Sequence, residues 1–407
     1  MKCRHCQVEL KHIFVDLGYA PPSNAYLTAK ELKKPEKYYP LRVMVCGECW
    51  LVQTEDYAQA EELFDEEYAY FSSTSSSWIE HAKNYVERIA DKLNLTENSL
   101  VIEVASNDGY LLKNFISKGI PCLGIEPTKS TAEAAKKIGI PVIEEFFSEA
   151  LAKTICKLGK QADLIIGNNV YAHVPDINDF TRGLKVALRP NGVITLEFPH
   201  LMRLIEFNQF DTIYHEHFSY LSLFSVVQIF RSAGLRIFDV EELPTHGGSL
   251  RIYGCHEGSE RQSNPAVKTL LDLEKKSGLR DLSVYKEFQG KVDKIKNEFL
   301  EFLLTQKKLE KKIIAYGAAA KGNTLLNYAG VKPDLLPFVC DAAKAKQNKF
   351  MPGSHIPILA PEKLLEFKPD FVLILPWNIQ NEIAENFCDL KLYGGNFIVA
   401  IPKLQII

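Results

Sequence analysis

The densest chemistry in the chain lies in Phe210–Tyr220, FDTIYHEHFSY, where two histidines, a glutamate and two tyrosines fall within seven residues. Groups of this kind are costly to bury without partners, so the stretch does not read as ordinary core. An imidazole beside a carboxylate and a phenol can remove a proton from an acidified C–H bond and support the oxyanion that forms. Metal binding competes with that reading, because His215 and His217 have a chelating His-x-His spacing. The helical His-x₃-His spacing of zinc proteases is absent, and a hydrolytic metal needs a third ligand near by. A solvated loop is the bland alternative. In a strand His215 and His217 would share a face, whereas in a helical turn Tyr214 and His217 would. The sequence leaves both open.

A second stretch would have to bring a ligand to these groups. Ser99–Lys113, SLVIEVASNDGYLLK, opens as a strand, Leu100–Val104, that is apolar except at Glu103. It turns through Ala105–Gly109 and enters an apolar-periodic segment at Tyr110. Strand, small polar turn and helix present backbone N–H groups at the switch point of a doubly wound sheet. The turn has one glycine where the dinucleotide fingerprint has three, which argues against a pyrophosphate lying on it. The strand Pro121–Ile125 then ends in Glu126, nineteen residues after Asn107, where a carboxylate can accept both hydroxyls of a ribose. Glu103, Asn107, Asp108, Gly109 and Glu126 together resemble the S-adenosylmethionine site of a class I methyltransferase, against the plainer reading of a strand and helix with a surface glutamate. Asn168, at the end of a later strand, joins this set.

Two cysteine pairs, Cys3-x-x-Cys6 and Cys46-x-x-Cys49, give four thiolates for a tetrahedral Zn²⁺ site without an open position. Tyr38–Val45 has strand character and would deliver Cys46 as half of a zinc ribbon. His5 is an alternative ligand. A redox role is disfavoured, because no thioredoxin-like βαβ pattern surrounds either pair.

The elements that must position these groups follow an α/β pattern. Strands are expected at Leu100–Val104, Pro121–Ile125, Pro141–Ile143, Asp163–Gly167, Gly192–Phe198, Gly234–Val240 and Gly248–Tyr253, with helices between most of the first six. The last two lack room for a helix, so a parallel sheet should end in a reversed strand. A serine-rich run, Ser72–Ser77, follows Tyr68, Tyr70 and Phe71. It reads equally as a linker whose Ser76 or Ser77 caps a helix from Trp78 to Leu93, or as a ligand edge. Ala266–Lys276 and Tyr285–Glu310 read as a helical hairpin. A second α/β pattern starts at Lys312–Tyr316 and passes through Gly317–Thr324 to a helix from Leu325. There Lys321, Asn323 and backbone N–H groups can meet a phosphate, although small residues also favour close helix–strand packing.

At 407 residues, 46% hydrophobic and with net charge −3, the chain has room for two or three domains. The division expected is a zinc-binding domain at 1–75, a methyltransferase domain at 76–255, and a helical connection with a Rossmann-like domain at 256–407. The charge balance predicts neither nucleic-acid nor membrane binding. The start MKCRHC lacks the apolar stretch of a signal peptide, and nine cysteines are few and odd in number, so a cytoplasmic protein with reduced or metal-bound thiols is expected.

The whole chain resembles the nucleotide-sugar C-methyltransferase family. The likeness is carried by the four cysteines, EVASNDGYLL, NNVYAHVPD, IYHEHFSYLS, HGGSLRIY and YGAAAKGNTLLN. It departs from the family at Ala105, where glycine is common, and in Cys340–Ile358, which matches the usual opening only in part. The resemblance implies methyl transfer from S-adenosylmethionine to C-3 of a nucleotide-linked 4-keto-deoxysugar. It implies a class I Rossmann-like core between a zinc-binding domain and a second Rossmann-like domain that covers the sugar nucleotide. By matched position, His217 is the base, Tyr214 and Glu216 are its companions, and His173 and Tyr70 line the pocket. A monomer or weak homo-oligomer is expected. The competing readings are O- or N-methylation of another small molecule, and a non-catalytic zinc-ribbon scaffold.

Overall fold

The computed structural model describes residues 1–55, 57 and 71–407, which contain three sheets. In chain order the first strands are β1 (His12–Ala20), β2 (Tyr39–Val45) and β3 (Val52–Thr54). Next come β4 (Val101–Val104), β5 (Cys122–Ile125), β6 (Val142–Ile143), β7 (Ala162–Asn168) and β8 (Leu188–Pro199). The middle of the chain ends with β9 (Ser219–Tyr220), β10 (Leu235–Leu243) and β11 (Ser249–His256). The last group is β12 (Ile313–Tyr316), β13 (Val339–Cys340), β14 (Ile358–Leu359), β15 (Phe371–Ile374), β16 (Asn396–Val399) and β17 (Gln405–Ile406).

The central sheet runs β10-β11-β8-β7-β4-β5-β6. Its pairs are parallel except around β11, which is antiparallel to both β8 and β10. Each expected strand of this sheet is present. The parallel ones are readable because parallel strands covered on both faces become continuous apolar runs. Val101, Leu164 and Val193 are fully buried on one face, and Ile102, Ile165 and Ile194 on the other. Glu103 interrupts β4 in the interior, opposite Gly124 of β5 and Ile166 of β7. The chain order reverses between β4 and β7, so their carboxyl ends open the crevice where ligands gather.

The C-terminal sheet, β14-β13-β12-β15-β16-β17, is a second doubly wound arrangement closed by antiparallel β17. Its helix begins at Ala320 rather than at Leu325, so Lys321 and Asn323 lie in the first helical turn. Small side chains there allow the helix to start close to β15: a Cβ on Gly322 would lie 2.8 Å from Leu375. Helices Pro265–Lys276 and Leu282–Lys308 connect the two α/β units, and Phe288 stacks on Phe14 of β1 with ring centroids 4.5 Å apart. Helix Ser76–Leu93 is capped by Ser75, one residue before the expected caps, whose Oγ accepts from Trp78 N at 3.3 Å.

The N-terminal sheet, β1-β2-β3-β9, ends on a strand from the histidine-rich stretch. That link between distant segments had no signal in the sequence, since β9 is only two residues long. Among the described residues no helix is long and apolar enough to cross a membrane.

Candidate active site and metal centre

The ligand atoms of Cys3, Cys6, Cys46 and Cys49 lie within 4.8 Å of one another. Both pairs fold alike. Cys3 O accepts from Gln7 N at 3.0 Å and Cys46 O from Trp50 N at 3.1 Å, while Gln7 and Trp50 take φ of 63° and 60°. Each turn thus points two thiols at a common centre, and two such turns make the closed tetrahedral sulfur set that zinc prefers. His5 is turned away: its Nδ1 pairs with Asn178 Oδ1 at 2.9 Å, which favours four cysteines as the ligand set.

At the crevice, the turn after β4 is held by Glu126. One carboxylate oxygen accepts from Asn107 N and the other from Thr128 N, both at 2.9 Å. The carboxylate expected to meet a ribose therefore also fixes the turn, and Asn107 (φ 49°) and Gly109 (φ 79°) curl around it. The φ of 79° at Gly109 is a left-handed conformation that favours glycine, and a Cβ there would lie 2.2 Å from Ile140 Cδ1, which would have to shift. From outside, Ser72 N donates to Asn107 Oδ1 at 2.9 Å and Ser73 N to Asp108 Oδ2 at 3.1 Å. The serine run thus supplies both a helix cap and a cover for this turn.

Several side chains in the crevice, Glu103, Ser106, Asp108 and Asn168 among them, have unmet polar atoms. Both carboxyl oxygens of buried Glu103, and both amide atoms of Asn168, lack a hydrogen-bond partner among the described residues. Burial, reinforced by Glu126 and Asp108, pushes the Glu103 carboxyl well above its ordinary value. Orphaned buried groups of this kind are satisfied when a polar ligand enters, and the set fits S-adenosylmethionine with its ammonium, carboxylate and ribose.

Tyr214–His217 forms a tight turn, closed by His217 N donating to Tyr214 O at 2.9 Å. This answers the question of facing: Tyr214 and His217 lie together, with ring centroids 4.0 Å apart. His215 points instead toward the N-terminal sheet, its Nε2 lying 3.3 Å from Pro40 O. His217 and His215 therefore do not chelate as a pair. His217 Nδ1 lies 2.7 Å from Thr212 O. A carbonyl only accepts, so the proton sits on Nδ1 and Nε2 keeps its lone pair. Burial first, then His173, pushes His217 well below its ordinary value, so the imidazole is neutral at pH 7.

His173, in the turn after β7, meets His217 edge-on with centroids 4.6 Å apart. Burial lowers it to about 4. Glu216 is buried, and burial pushes its carboxyl up to about 7 although Asn24 Nδ2 donates to Oε2 at 3.1 Å. Tyr70 lies outside the described residues.

The C-terminal unit reaches the same crevice. Lys321 is half-buried, donates to Asn378 Oδ1 at 2.7 Å and lies 4.4 Å from the Trp377 ring centre. Burial lowers its ammonium, and Asp211 opposes that. Trp377 Nε1 donates to Asp211 Oδ2 at 2.7 Å, which ties the C-terminal unit to the segment before the histidines. Asn323 is partly committed, since its Nδ2 donates to Ser23 O at 2.6 Å while Oδ1 lacks a partner among the described residues.

His246, Asp211 and Trp377 carry no role expected from the sequence, although His246 opens the HGGSLRIY motif and Asp211 lies in the histidine-rich stretch. His246 has φ 53° and accepts from Asn169 Nδ2 at 2.9 Å, beside Trp78. The adjacent Gly247-Gly248 pair was a local signal for His246. Nothing local pairs Asp211 with Trp377, which are brought together from 166 residues apart.

Comparison with known proteins gives the family. A zinc binding domain model matches residues 3–64, a methyltransferase domain model 78–240, and a C-methyltransferase C-terminal domain model 244–402. C-methyltransferase NovU of Streptomyces niveus is 33% identical over 406 residues, covering 100% of this chain and 96% of its own. A solved S-adenosylmethionine-dependent methyltransferase from Clostridium acetobutylicum ATCC 824 is 10% identical with a TM-score of 0.36, covering 44% of this chain and 92% of its own. Magnesium protoporphyrin IX methyltransferase ChlM from Synechocystis PCC 6803, solved with bound SAH, is 14% identical with a TM-score of 0.35, covering 44% and 82%. With its tetracysteine centre, its ligand crevice and a relative matched from end to end, the chain belongs to the C-methyltransferase family and is an S-adenosylmethionine-dependent C-methyltransferase with an N-terminal zinc-binding domain.

Proposed function

We propose that the enzyme methylates C-3 of a nucleotide-linked 4-keto-deoxysugar, with His217 as the base that removes the C-3 proton. One observation carries the reading: His217 Nδ1–H is committed to the Thr212 carbonyl, which leaves a neutral Nε2 beside the Tyr214 phenol. Oxygen nucleophiles need little beyond a base. A carbon nucleophile needs a C–H acidified by a carbonyl, a base aimed at it and support for the enolate oxygen. S-adenosylmethionine, held by Glu103, Asn107, Asp108, Gly109, Glu126 and Asn168, supplies an electrophilic methyl group when bound. His217 Nε2 takes the proton, and the Tyr214 hydroxyl donates to the developing oxyanion. Glu216, neutral over much of the range below its raised value of about 7, is a second donor, and His173 packs the base in place.

The half-buried Lys321 supports an anionic substrate such as a nucleotide diphosphate, and the unpartnered Oδ1 of Asn323 in the same helical turn is an acceptor for a hydroxyl donor. In this reading residues 1–75 bind zinc, 76–255 bind the methyl donor, and 256–407 cover the sugar nucleotide. The enzyme would act in the cytoplasm as a monomer or weak homo-oligomer in deoxysugar biosynthesis. The test is a panel of nucleotide-linked 4-keto sugars incubated with enzyme and methyl donor, read by mass spectrometry and NMR. A new methyl on the carbon next to the ketone, with loss of that carbon's hydrogen, is expected. A methyl on oxygen or nitrogen, or turnover of a substrate without a ketone, would overturn the reading.

A further inference from the structure

We propose that Gln53 and Thr54 are positioning residues that carry the order of the tetracysteine centre to His217; the inference rests on His217 being the base. The two residues end the three-residue strand β3, which begins just after the Cys46–Cys49 turn. So short a strand has little stability of its own and takes its place from whatever holds its two sides.

On one side is the metal centre. Gln53 is fully buried, and its Oε1 accepts from Arg4 N at 2.8 Å. That bond sets the orientation of the amide, because only the oxygen can accept from an N–H. Nε2 is thereby aimed at Cys3 Sγ, 3.3 Å away. Four thiolates on one divalent ion leave excess negative charge, and an N–H donor to sulfur offsets it and fixes the ligand's direction.

On the other side is the base. Gln53 pairs with Ser219 and Val52 with Tyr220, which makes β9 the edge of the N-terminal sheet. Thr54 N donates to Phe218 O at 3.1 Å, and Thr54 Oγ1 donates to His217 O at 3.2 Å. Arg4, between Cys3 and His5, donates to Thr54 O at 3.1 Å and lies 5.0 Å from the centre of the Phe218 ring. The main chain of His217 is thus held from the zinc-binding side, while its ring is held by Thr212 O at 2.7 Å. A base fixed at both points has little freedom to swing from the C–H bond it must attack. Small losses of alignment are costly in rate.

The test uses the full-length, zinc-loaded enzyme. Thr54→Val removes the hydroxyl and keeps the shape. It should retain its zinc and the KM for the methyl donor, lower kcat by roughly tenfold or more, and be rescued by Thr54→Ser. Backbone amide exchange at residues 217–220 should quicken by about tenfold as the local hold on the strand weakens. Gln53→Glu keeps the acceptor for Arg4 N but turns an anion toward Cys3. It should speed zinc release to a chromophoric chelator by about 10–100-fold. Unchanged exchange at 217–220 in Thr54→Val, or wild-type zinc release from Gln53→Glu, would overturn the inference. Quickened exchange with wild-type kcat would also overturn it, and would locate the failure in the assignment of His217 as base.

Discussion

Glu216 should make the stability of the free enzyme fall between about pH 4.5 and pH 7, and Glu216→Gln should remove that dependence. The carboxyl is buried, and its folded-state value is raised from 4.5 to about 7 by burial, with Asn24 opposing. A raised acid binds its proton more tightly in the folded chain than in the unfolded one. Its contribution is therefore complete below the unfolded value near 4.5, and is lost as pH rises through the folded value of about 7. Each unit is worth about 1.4 kcal/mol, so the span amounts to about 3 kcal/mol. The glutamine amide oxygen can still accept from Asn24 Nδ2 and does not titrate. Urea unfolding of both proteins at half-unit steps from pH 4.5 to 8 isolates the effect, because other titrating groups cancel in the difference. The variant should match wild type at pH 4.5 and exceed it by about 3 kcal/mol at pH 8. A constant difference across that range would refute the reasoning, since it would mean that Glu216 titrates normally.

Glu126→Ala removes the acceptor of two backbone N–H groups. With charge-assisted bonds worth roughly 1.5–3 kcal/mol each, calorimetry should show S-adenosylmethionine binding weakened by at least about tenfold. Metal analysis should find one tightly held zinc per chain, and Cys46→Ser should lose both the metal and normal turnover; a variant that folds and turns over without it would contradict a structural role. Ala105 has φ 56°, a region costly for any residue with a Cβ. Ala105→Gly should therefore raise stability by up to about 1 kcal/mol, seen as a higher Tm. His217 lies well below its ordinary value through burial, so the acid limb of kcat/KM should fall below pH 6.5, with activity rising as the imidazole loses its proton.

Elements buried on both faces were legible because their apolar runs are long enough to carry a period. Strands β4, β5, β7 and β8 fall within a few residues of the expected bounds. The short pieces β9, β14 and β17 are not legible: two residues carry no pattern of their own, and these lack the regular strand–helix alternation that marks the equally short β6. The candidate site divides along the same line. Cys-x-x-Cys, Asn107–Gly109 and Tyr214–His217 announce themselves locally. What surrounds them does not: Thr54 reaches His217 across 163 residues and Trp377 reaches Asp211 across 166. Of the two facings open in the sequence, the structure takes the helical-turn one, with Tyr214 beside His217. Glu126 was read as a ligand group, and it is also the residue that fixes the turn.

The most direct test of the central claim is the methylation rate of His217→Ala on a nucleotide-linked 4-keto-deoxysugar, in a variant shown to be folded and to bind methyl donor. With general-base catalysis worth about 10²–10⁴-fold, the rate should fall by that factor while substrate and cofactor affinities hold. A folded His217→Ala enzyme that methylates at the wild-type rate would contradict the account and move the base elsewhere, with His173 the next candidate.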